Sequence, residues 1–203
     1  MNASALIFDL GGVILNIDYD RTRRAFENLG VHHFREMYSQ AGADPLFQSL
    51  EKGTIDEKVF YEGIRQRSGL DLADEQIRDA WNEILLDFRE SSLSCLETLR
   101  PRYRVFLLSN TNHVHLPEVH RIFNRSARQR AFDDYFEKAY YSCNLGMRKP
   151  DKEIYRYVLE ENRLDPTHTV FIDDSGQNIE TASSLGMQTV LLKPGEFIEN
   201  LGF

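Results

Sequence analysis

A small set of polar side chains is spread over the sequence in four short stretches. These side chains belong to Asp9, Ser109, Asn110, Lys149, Asp173 and Asp174. Carboxylates brought close together repel one another and raise one another's pKa. A hard divalent cation relieves that repulsion, and oxygen ligands with few protein contacts suit Mg²⁺. If the four stretches meet in the fold, they predict a magnesium site.

The lysine and the hydroxyl indicate what such a site would act on. Lys149 and the hydroxyl of Ser109 would supply donors to an anion on the far side of the cation. A cation, a lysine and a hydroxyl around a carboxylate are typical of phosphoryl transfer. Asp9 could then attack phosphorus in line and form an acyl phosphate, which is covalent catalysis by a carboxylate.

Each of these stretches follows a short apolar run of the kind that forms a buried strand. Such runs occur at 5–8, 105–108, 139–141, 169–172 and 189–192, and helical patterns separate them. The alternation predicts an α/β fold with a doubly wound, mostly parallel sheet. Ligands gather at the carboxyl ends of the strands in such a sheet, so the four stretches are expected in one crevice.

The region from 19 to 88 differs because it contains no strong strand run. Helical periodicity predicts helices at 21–29, 33–39, 45–51, 56–67 and 74–88. We therefore expect an all-helical insert at 19–88, placed after the first strand of an α/β core formed by 1–18 and 89–203.

Composition excludes several classes of protein. The 203 residues contain 24 Lys and Arg against 32 Asp and Glu, and the net charge of −8 disfavours nucleic-acid and anionic-membrane partners. The sequence has no apolar run long enough to span a bilayer and no signal-peptide pattern, so a cytoplasmic protein is expected. The two cysteines fit a reducing compartment. We expect a monomer or homodimer.

Four motifs, in order along the chain, resemble those of the haloacid dehalogenase superfamily. They begin at Phe8, Leu108, Lys149 and Phe171 and read FDLGGV, LSNT, KP and FIDD. Their wording is most similar to that of bacterial α-D-glucose-1-phosphate phosphatases. The resemblance implies a Rossmann-like core with a helical cap. It also implies a Mg²⁺-dependent phosphatase acting on a small phosphorylated metabolite, with a sugar phosphate such as a hexose 1-phosphate favoured.

The resemblance also implies roles for individual residues. Asp9 would be the nucleophile and a magnesium ligand, and Asp174 a direct ligand. Asp173 would bind the metal directly or through water, or orient Lys149. Gly11 would offer its backbone carbonyl to the metal. Four residues, Gly11 among them, would bind the phosphate. These phosphate-binding residues are Gly11, Ser109, Asn110 and Lys149.

Gly11 is a departure from the superfamily pattern, because most of its phosphatases carry a second Asp at this position. That Asp is a general acid and base, a role worth roughly 10²- to 10⁴-fold in rate. Asp18 is the first candidate to replace this acid and base, and His113 is the second. Alternatively, the substrate has a good leaving group, or the protein does not turn over.

Two other functions remain open. A metal-independent 2-haloacid dehalogenase uses the same nucleophile and needs no acid, although Asp173 and Asp174 would repel its carboxylate substrate. A regulatory protein could bind a phospholigand without catalysis. At single positions, structural roles compete with functional ones. Asp18 would alternatively cap the next helix. Glu51, Lys52 and Gly53 could reach the substrate from the cap, although a solvated helix end is favoured.

Overall fold

A parallel sheet forms the centre of the computed structural model, which describes residues 3–39, 42–126 and 128–203. Within these ranges the sheet contains five strands, in the spatial order β7-β6-β1-β8-β9. They are β1 (Ala5–Phe8), β6 (Arg104–Ser109), β7 (Lys138–Tyr141), β8 (Thr169–Asp173) and β9 (Gln188–Leu191). All neighbouring pairs are parallel, which confirms the predicted fold class.

The apolar runs form strands because both faces of the sheet are covered. Along β1, Leu6 and Phe8 enter one apolar cluster, while Ala5 and Ile7 enter the cluster on the opposite face. All four side chains are buried. A strand without polar alternation is what a sheet packed between two layers of helices requires.

Helices of the core connect these strands. They are α6 (Glu90–Leu99), α7 (His115–Phe123), α8 (Ser142–Leu145), α9 (Lys152–Glu161) and α10 (Gly176–Ser184). Short 3-10 turns occur at Phe132–Tyr135, Pro166–His168 and Ile198–Asn200. Gly186 follows α10 with φ +86°, a conformation that favours glycine and that ends the helix as predicted.

The inserted segment between the first two sheet strands is mostly helical. Its helices are α1 (Tyr19–Asn28), α2 (Phe34–Met37), α3 (Pro45–Glu51), α4 (Glu57–Ser68) and α5 (Asp74–Asn82). They enclose a cluster of aromatic rings, with Phe26 stacked on Phe34 and Phe47 beside Trp81. This cluster is separate from the two apolar layers of the sheet.

Short strand pairs at the margins of the insert differ from the prediction. The helix predicted at 74–88 ends at Asn82, and β5 (Leu85–Phe88) follows it. β5 pairs antiparallel with β2 (Leu15–Ile17), so the prediction of helix is wrong there. The helix predicted at 33–39 is likewise short, because β3 (Tyr38–Ser39) pairs with β4 (Gly42–Ala43).

A buried contact joins the insert to the core. The ring of Trp81 on α5 stacks on the ring of His115 at the start of α7, with centroids 4.6 Å apart. Asn82 also contacts this histidine, with its Oδ1 2.9 Å from His115 Nδ1. Val114 belongs to the same cluster as the insert's aromatic rings. The insert therefore packs on the amino end of α7 through apolar and aromatic surface.

Among the described residues, no helix combines the length and the apolar character that crossing a bilayer would require.

Candidate active site

The register of the sheet brings two of the predicted carboxylates together. Phe8 in β1 pairs with Ile172 in β8, and the Asp9 backbone N donates to the Ile172 carbonyl at 2.9 Å. Asp9 and Asp173 are the next residues along these neighbouring strands. Both side chains therefore start from the same level at the carboxyl edge of the sheet, as the strand-end argument predicted.

Lys149 lies between these two carboxylates. Its Nζ is 2.8 Å from Asp9 Oδ1 and 2.7 Å from Asp173 Oδ2, and its side chain is 1% exposed. Burial opposes the charge on the ammonium, but the two carboxylates overcome this and raise the pKa of Lys149. Lys149 therefore stays protonated and ties β1 to β8 through charge.

The amide of Asn110 fixes the backbone of Lys149. Asn110 Nδ2 donates to the Lys149 carbonyl at 2.8 Å, and Asn110 Oδ1 accepts from the Lys149 N–H at 2.9 Å. Asn110 follows directly after β6, so a third strand end takes part in the site. Its side chain holds the backbone of Lys149 in place, and the phosphate-binding role that the resemblance implied stays a prediction.

Asp173 is fully buried and has donors on several sides. Asn178 Nδ2 lies 3.0 Å from Asp173 Oδ1 and 3.1 Å from Oδ2, and the Ser175 N–H donates to Oδ1 at 2.8 Å. Together with Lys149, these contacts satisfy a carboxylate that burial would otherwise penalise. The arrangement fixes the position of Asp173 and, through it, that of Lys149.

Asp174 completes an acidic cluster with Asp9 and Asp173. One carboxylate oxygen from each residue lies within 4.8 Å of the other two. Burial raises the pKa of Asp9 to about 7, against the pull of Lys149 and with help from the other two carboxylates. Burial and Asp173 raise the pKa of Asp174 to about 6.

This cluster fits a divalent cation chemically. All its donors are oxygens, which hard cations such as Mg²⁺ prefer. One lysine faces three carboxylates, so an added positive charge would relieve their repulsion. Gly12 has φ +74°, and a Cβ there would collide with the Asp174 carboxylate. Glycine thus lets the loop after β1 pass close against the cluster.

A pocket of about 350 Å³ opens above these residues. Asp9, Gly11, Asn110, Lys149 and Asp174 all contribute to its lining. Ser109, the last residue of β6, is buried, and its Oγ lies 3.4 Å from the Asn110 carbonyl. The structure therefore brings together the predicted residues of all four strand ends, with Ser109 below the surface of the pocket.

Asp18 occupies the helix-capping position that competed with a catalytic role in the sequence. Its Oδ1 accepts from the Asp20 N–H at 2.8 Å and caps α1. Of the described residues that line the pocket, Tyr19 is one and Asp18 is not. The geometry thus supports the capping role and gives Asp18 no contact with the pocket. His113 does not line this pocket either, and its Nε2 lies 3.2 Å from Asn144 Oδ1.

The outer wall of the pocket comes mainly from the insert. It is formed by Tyr19, Tyr38, Gln48, Glu51 and Arg148, which we call the polar wall. Arg148 Nε donates to Glu51 Oε2 at 2.7 Å, and the two side chains are 19% and 10% exposed. Burial raises the pKa of Glu51, against the opposing effect of Arg148.

Sequence reasoning missed most of the polar wall and named only Glu51 as a residue that could reach the substrate. The favoured alternative for Glu51, a solvated helix end, is wrong because α3 ends against the core and Glu51 is buried. A Cβ on Gly53 would collide with the Cys143 carbonyl, and Lys52 forms an ion pair with Asp151 at 2.8 Å. The available signal was the position of Arg148 directly before Lys149.

Three comparisons place this geometry among known proteins. A family model for haloacid dehalogenase-like hydrolases matches residues 3–186. D-ribitol-5-phosphate phosphatase of Bacteroides thetaiotaomicron is 32% identical over 192 residues, covering 91% of this chain and 89% of the relative. A haloacid dehalogenase family enzyme of the same organism, crystallised with magnesium and inorganic phosphate, is 38% identical. Its TM-score is 0.88, over 99% of this chain and 100% of that one.

A more distant neighbour shares the fold. L-2-haloacid dehalogenase of Xanthobacter autotrophicus has a TM-score of 0.63 at 18% identity, covering 94% of this chain and 77% of that enzyme. At this identity the likeness extends to the fold alone.

Proposed function

The chain belongs to the haloacid dehalogenase-like hydrolase family, and on that premise we propose a Mg²⁺-dependent phosphatase acting through phosphorylated Asp9. Hydrolysis of a phosphoric monoester is the activity that its family and its relatives support. The observation that carries the proposed mechanism is Lys149, whose Nζ contacts Asp9 at 2.8 Å and Asp173 at 2.7 Å. Division of the chain into a catalytic core at 1–18 and 89–203 and a cap at 19–88 is part of this proposal.

In this proposal, Asp9, Asp174 and the backbone carbonyl of Gly11 hold the cation, and Asp173 contributes directly or through water. Supporting this, the carboxylates of Asp9, Asp173 and Asp174 converge within 4.8 Å. Bound Mg²⁺ would neutralise these carboxylates and the oxygens of the phosphoryl group.

Asp9 carries the covalent step. A carboxylate oxygen of Asp9 attacks phosphorus, the bond between phosphorus and the ester oxygen breaks, and the leaving oxygen takes a proton from solvent water. Water then attacks the acyl phosphate, which releases inorganic phosphate and restores the carboxylate. Lys149 fixes the rotation of the Asp9 side chain by binding Oδ1 and offers positive charge to the incoming phosphoryl group.

Tyr19 offers a donor where the superfamily pattern has lost one. Its ring lines the pocket, and burial together with Asp174 raises the pKa of its hydroxyl, which therefore stays protonated. In this position the hydroxyl can donate a hydrogen bond to the leaving oxygen. Gly11 then needs no acidic replacement when the leaving group is a moderately good one.

The proposed substrate is a small phosphorylated polyol or sugar. The named relative acts on D-ribitol 5-phosphate, and the motif wording favours a hexose 1-phosphate. A pocket of about 350 Å³ with a polar wall is consistent with a leaving group of this size and polarity.

An assay panel with Mg²⁺ tests the proposal. It comprises D-ribitol 5-phosphate, α-D-glucose 1-phosphate and acetyl phosphate, with release of inorganic phosphate as the readout. We expect Mg²⁺-dependent release from at least one sugar or polyol phosphate. Binding of all three without any release would instead support a regulatory phospholigand-binding protein.

A further inference from the structure

We infer that Glu51 and Arg148 select the leaving group, favouring one that carries hydroxyls and discriminating against apolar and anionic ones. The inference rests on the proposed phosphatase function and deepens it by assigning specificity to two residues. It begins from an ion pair that bridges α3 and the loop before α9, between residues 97 positions apart in sequence.

The pair shares the pocket with the chemistry. Glu51 and Arg148 line the same pocket of about 350 Å³ as Asp9 and Lys149. Arg148 directly precedes Lys149, whose Nζ marks the phosphoryl end. A substrate whose phosphorus lies at Asp9 therefore extends its leaving group into a pocket bounded by this ion pair.

The two side chains retain capacity for a ligand. A guanidinium has five N–H donors and a carboxylate about four acceptor sites. Their mutual contact joins Arg148 Nε to Glu51 Oε2 and involves one donor and one acceptor. Hydroxyls both donate and accept, so a polyol can satisfy carboxylate and guanidinium together. The phenols of Tyr19 and Tyr38 line the same pocket and extend this polar surface.

An apolar leaving group would be disfavoured at this wall. It would displace water from two charged side chains that are already only 10% and 19% exposed, and it would return no hydrogen bond. A site built to bind substrate hydroxyls can reject the analogue that lacks them by roughly 10⁴- to 10⁵-fold. Discrimination then follows from desolvation, without any steric barrier.

An anionic leaving group gains nothing from Arg148 either. Glu51 already neutralises the guanidinium at 2.7 Å, so the pair presents no net charge. A second negative charge on the substrate would lie beside the carboxylate of Glu51, and the paired guanidinium offers it no net attraction. Neutral, hydroxylated leaving groups are the class that this balance of charge accepts.

The test compares D-ribitol 5-phosphate with n-pentyl phosphate, which has the same chain length but no free hydroxyls. The readout is the ratio of their kcat/KM values with Mg²⁺. We expect a wild-type ratio above about 10² and a fall of at least about tenfold in Glu51→Gln. The double variant Glu51→Gln/Arg148→Gln avoids an unpaired buried charge and should show the same loss of ratio.

The matched control is Glu62→Gln on α4, where Glu62 forms an exposed ion pair with Arg65. Its ratio should stay within twofold of wild type. An ion pair that only fastens the insert would lower both kcat/KM values equally, and an unchanged ratio in the Glu51 variants would overturn the inference. So would a wild-type ratio near one.

A binding measurement separates this inference from the proposed function. If wild type hydrolyses neither compound nor any member of the assay panel, the phosphatase proposal fails. The affinities of wild type and Glu51→Gln for both compounds, measured by calorimetry with Mg²⁺, then test the selectivity alone. Preference for the polyol phosphate that falls about tenfold in the variant supports the inference, and equal affinities overturn it.

Discussion

The carboxyl edge of the sheet and the junction between insert and core are built from opposite materials. At the sheet edge, Lys149 faces the clustered carboxylates of Asp9, Asp173 and Asp174. At the junction, Trp81 and His115 stack in a buried aromatic contact. Both are buried, but the first concentrates charge whereas the second excludes it.

This difference separates function from stability. Like charges held together cost free energy, and that cost is accepted where the charges do chemistry. Aromatic burial stabilises a structure and has no chemistry of its own. Substitutions at the sheet edge should therefore remove activity without unfolding the protein, and substitutions at the junction should do the reverse.

The substitution Asp9→Asn tests this separation with the largest expected effect. We expect phosphate release to fall by at least about 10⁴-fold, because an amide does not replace the carboxylate nucleophile. Burial raises the pKa of Asp9 to about 7, so at pH 8 the folded state holds an unfavourable charge that Asn removes. The melting temperature in metal-free buffer at pH 8 should therefore not decrease. A folded variant with full activity would remove Asp9 from the mechanism.

Removal of the metal should have the next largest effect. We expect EDTA to reduce phosphatase activity by about 10²-fold or more and added Mg²⁺ to restore it, since the cation stabilises charge by several kcal/mol. Circular dichroism should show the fold unchanged. Chloride release from 2-chloropropionate that persists in EDTA would instead favour the dehalogenase alternative.

The junction should respond to pH through His115. Burial lowers its pKa from 6.5 to about 3, so the folded protein keeps this histidine neutral where the unfolded chain binds a proton. Stability from this group is therefore present above pH 6.5 and is lost as the pH falls toward 3. Between pH 7 and pH 5 wild type should lose about 2 kcal/mol more than His115→Gln.

Urea unfolding of both proteins at the two pH values measures this difference. Groups other than His115 titrate in both proteins and cancel in the comparison. Equal losses of unfolding free energy in wild type and variant would show that protonation of His115 does not destabilise the folded state.

Asp18→Asn should have the smallest effect. Asparagine caps helices about as well as aspartate, so the free energy of unfolding should change by less than about 0.5 kcal/mol. Since Asp18 caps α1 and does not line the pocket, kcat should change by less than about twofold across a leaving-group series. A loss confined to poor leaving groups would restore Asp18 as the proton donor.

The sheet edge was predictable because its determinants are local. Strands β1, β6 and β8 are continuous apolar runs, and the polar stretches that contain Asp9, Asn110 and Asp173 lie at their ends. Parallel topology alone then brings Asp9, Asn110 and Asp173 to one edge. The family, the fold class and the convergence of the predicted residues all followed from these short-range patterns.

Features that depend on distant partners could not be predicted in this way. The stretch that forms β5 continues a helical pattern, and it becomes a strand only by pairing with β2, about 70 positions earlier. Glu51 is buried because Arg148 meets it from the core. The catalytic role expected of Asp18 depended on where α1 begins. Because Asp18 caps α1, the side chain that lines the pocket is that of the next residue, Tyr19.

The ribbon formed by β2 and β5 has a practical consequence for protein engineering. The helices of the insert begin just after Ile17 and end just before Leu85, and these two residues are paired across the ribbon. Splice points at this pair would lie side by side, so a foreign helical cassette could be grafted there with one backbone register to preserve. A graft that also carries an acidic residue to meet Arg148 would exchange one leaving-group preference for another on an unaltered catalytic scaffold.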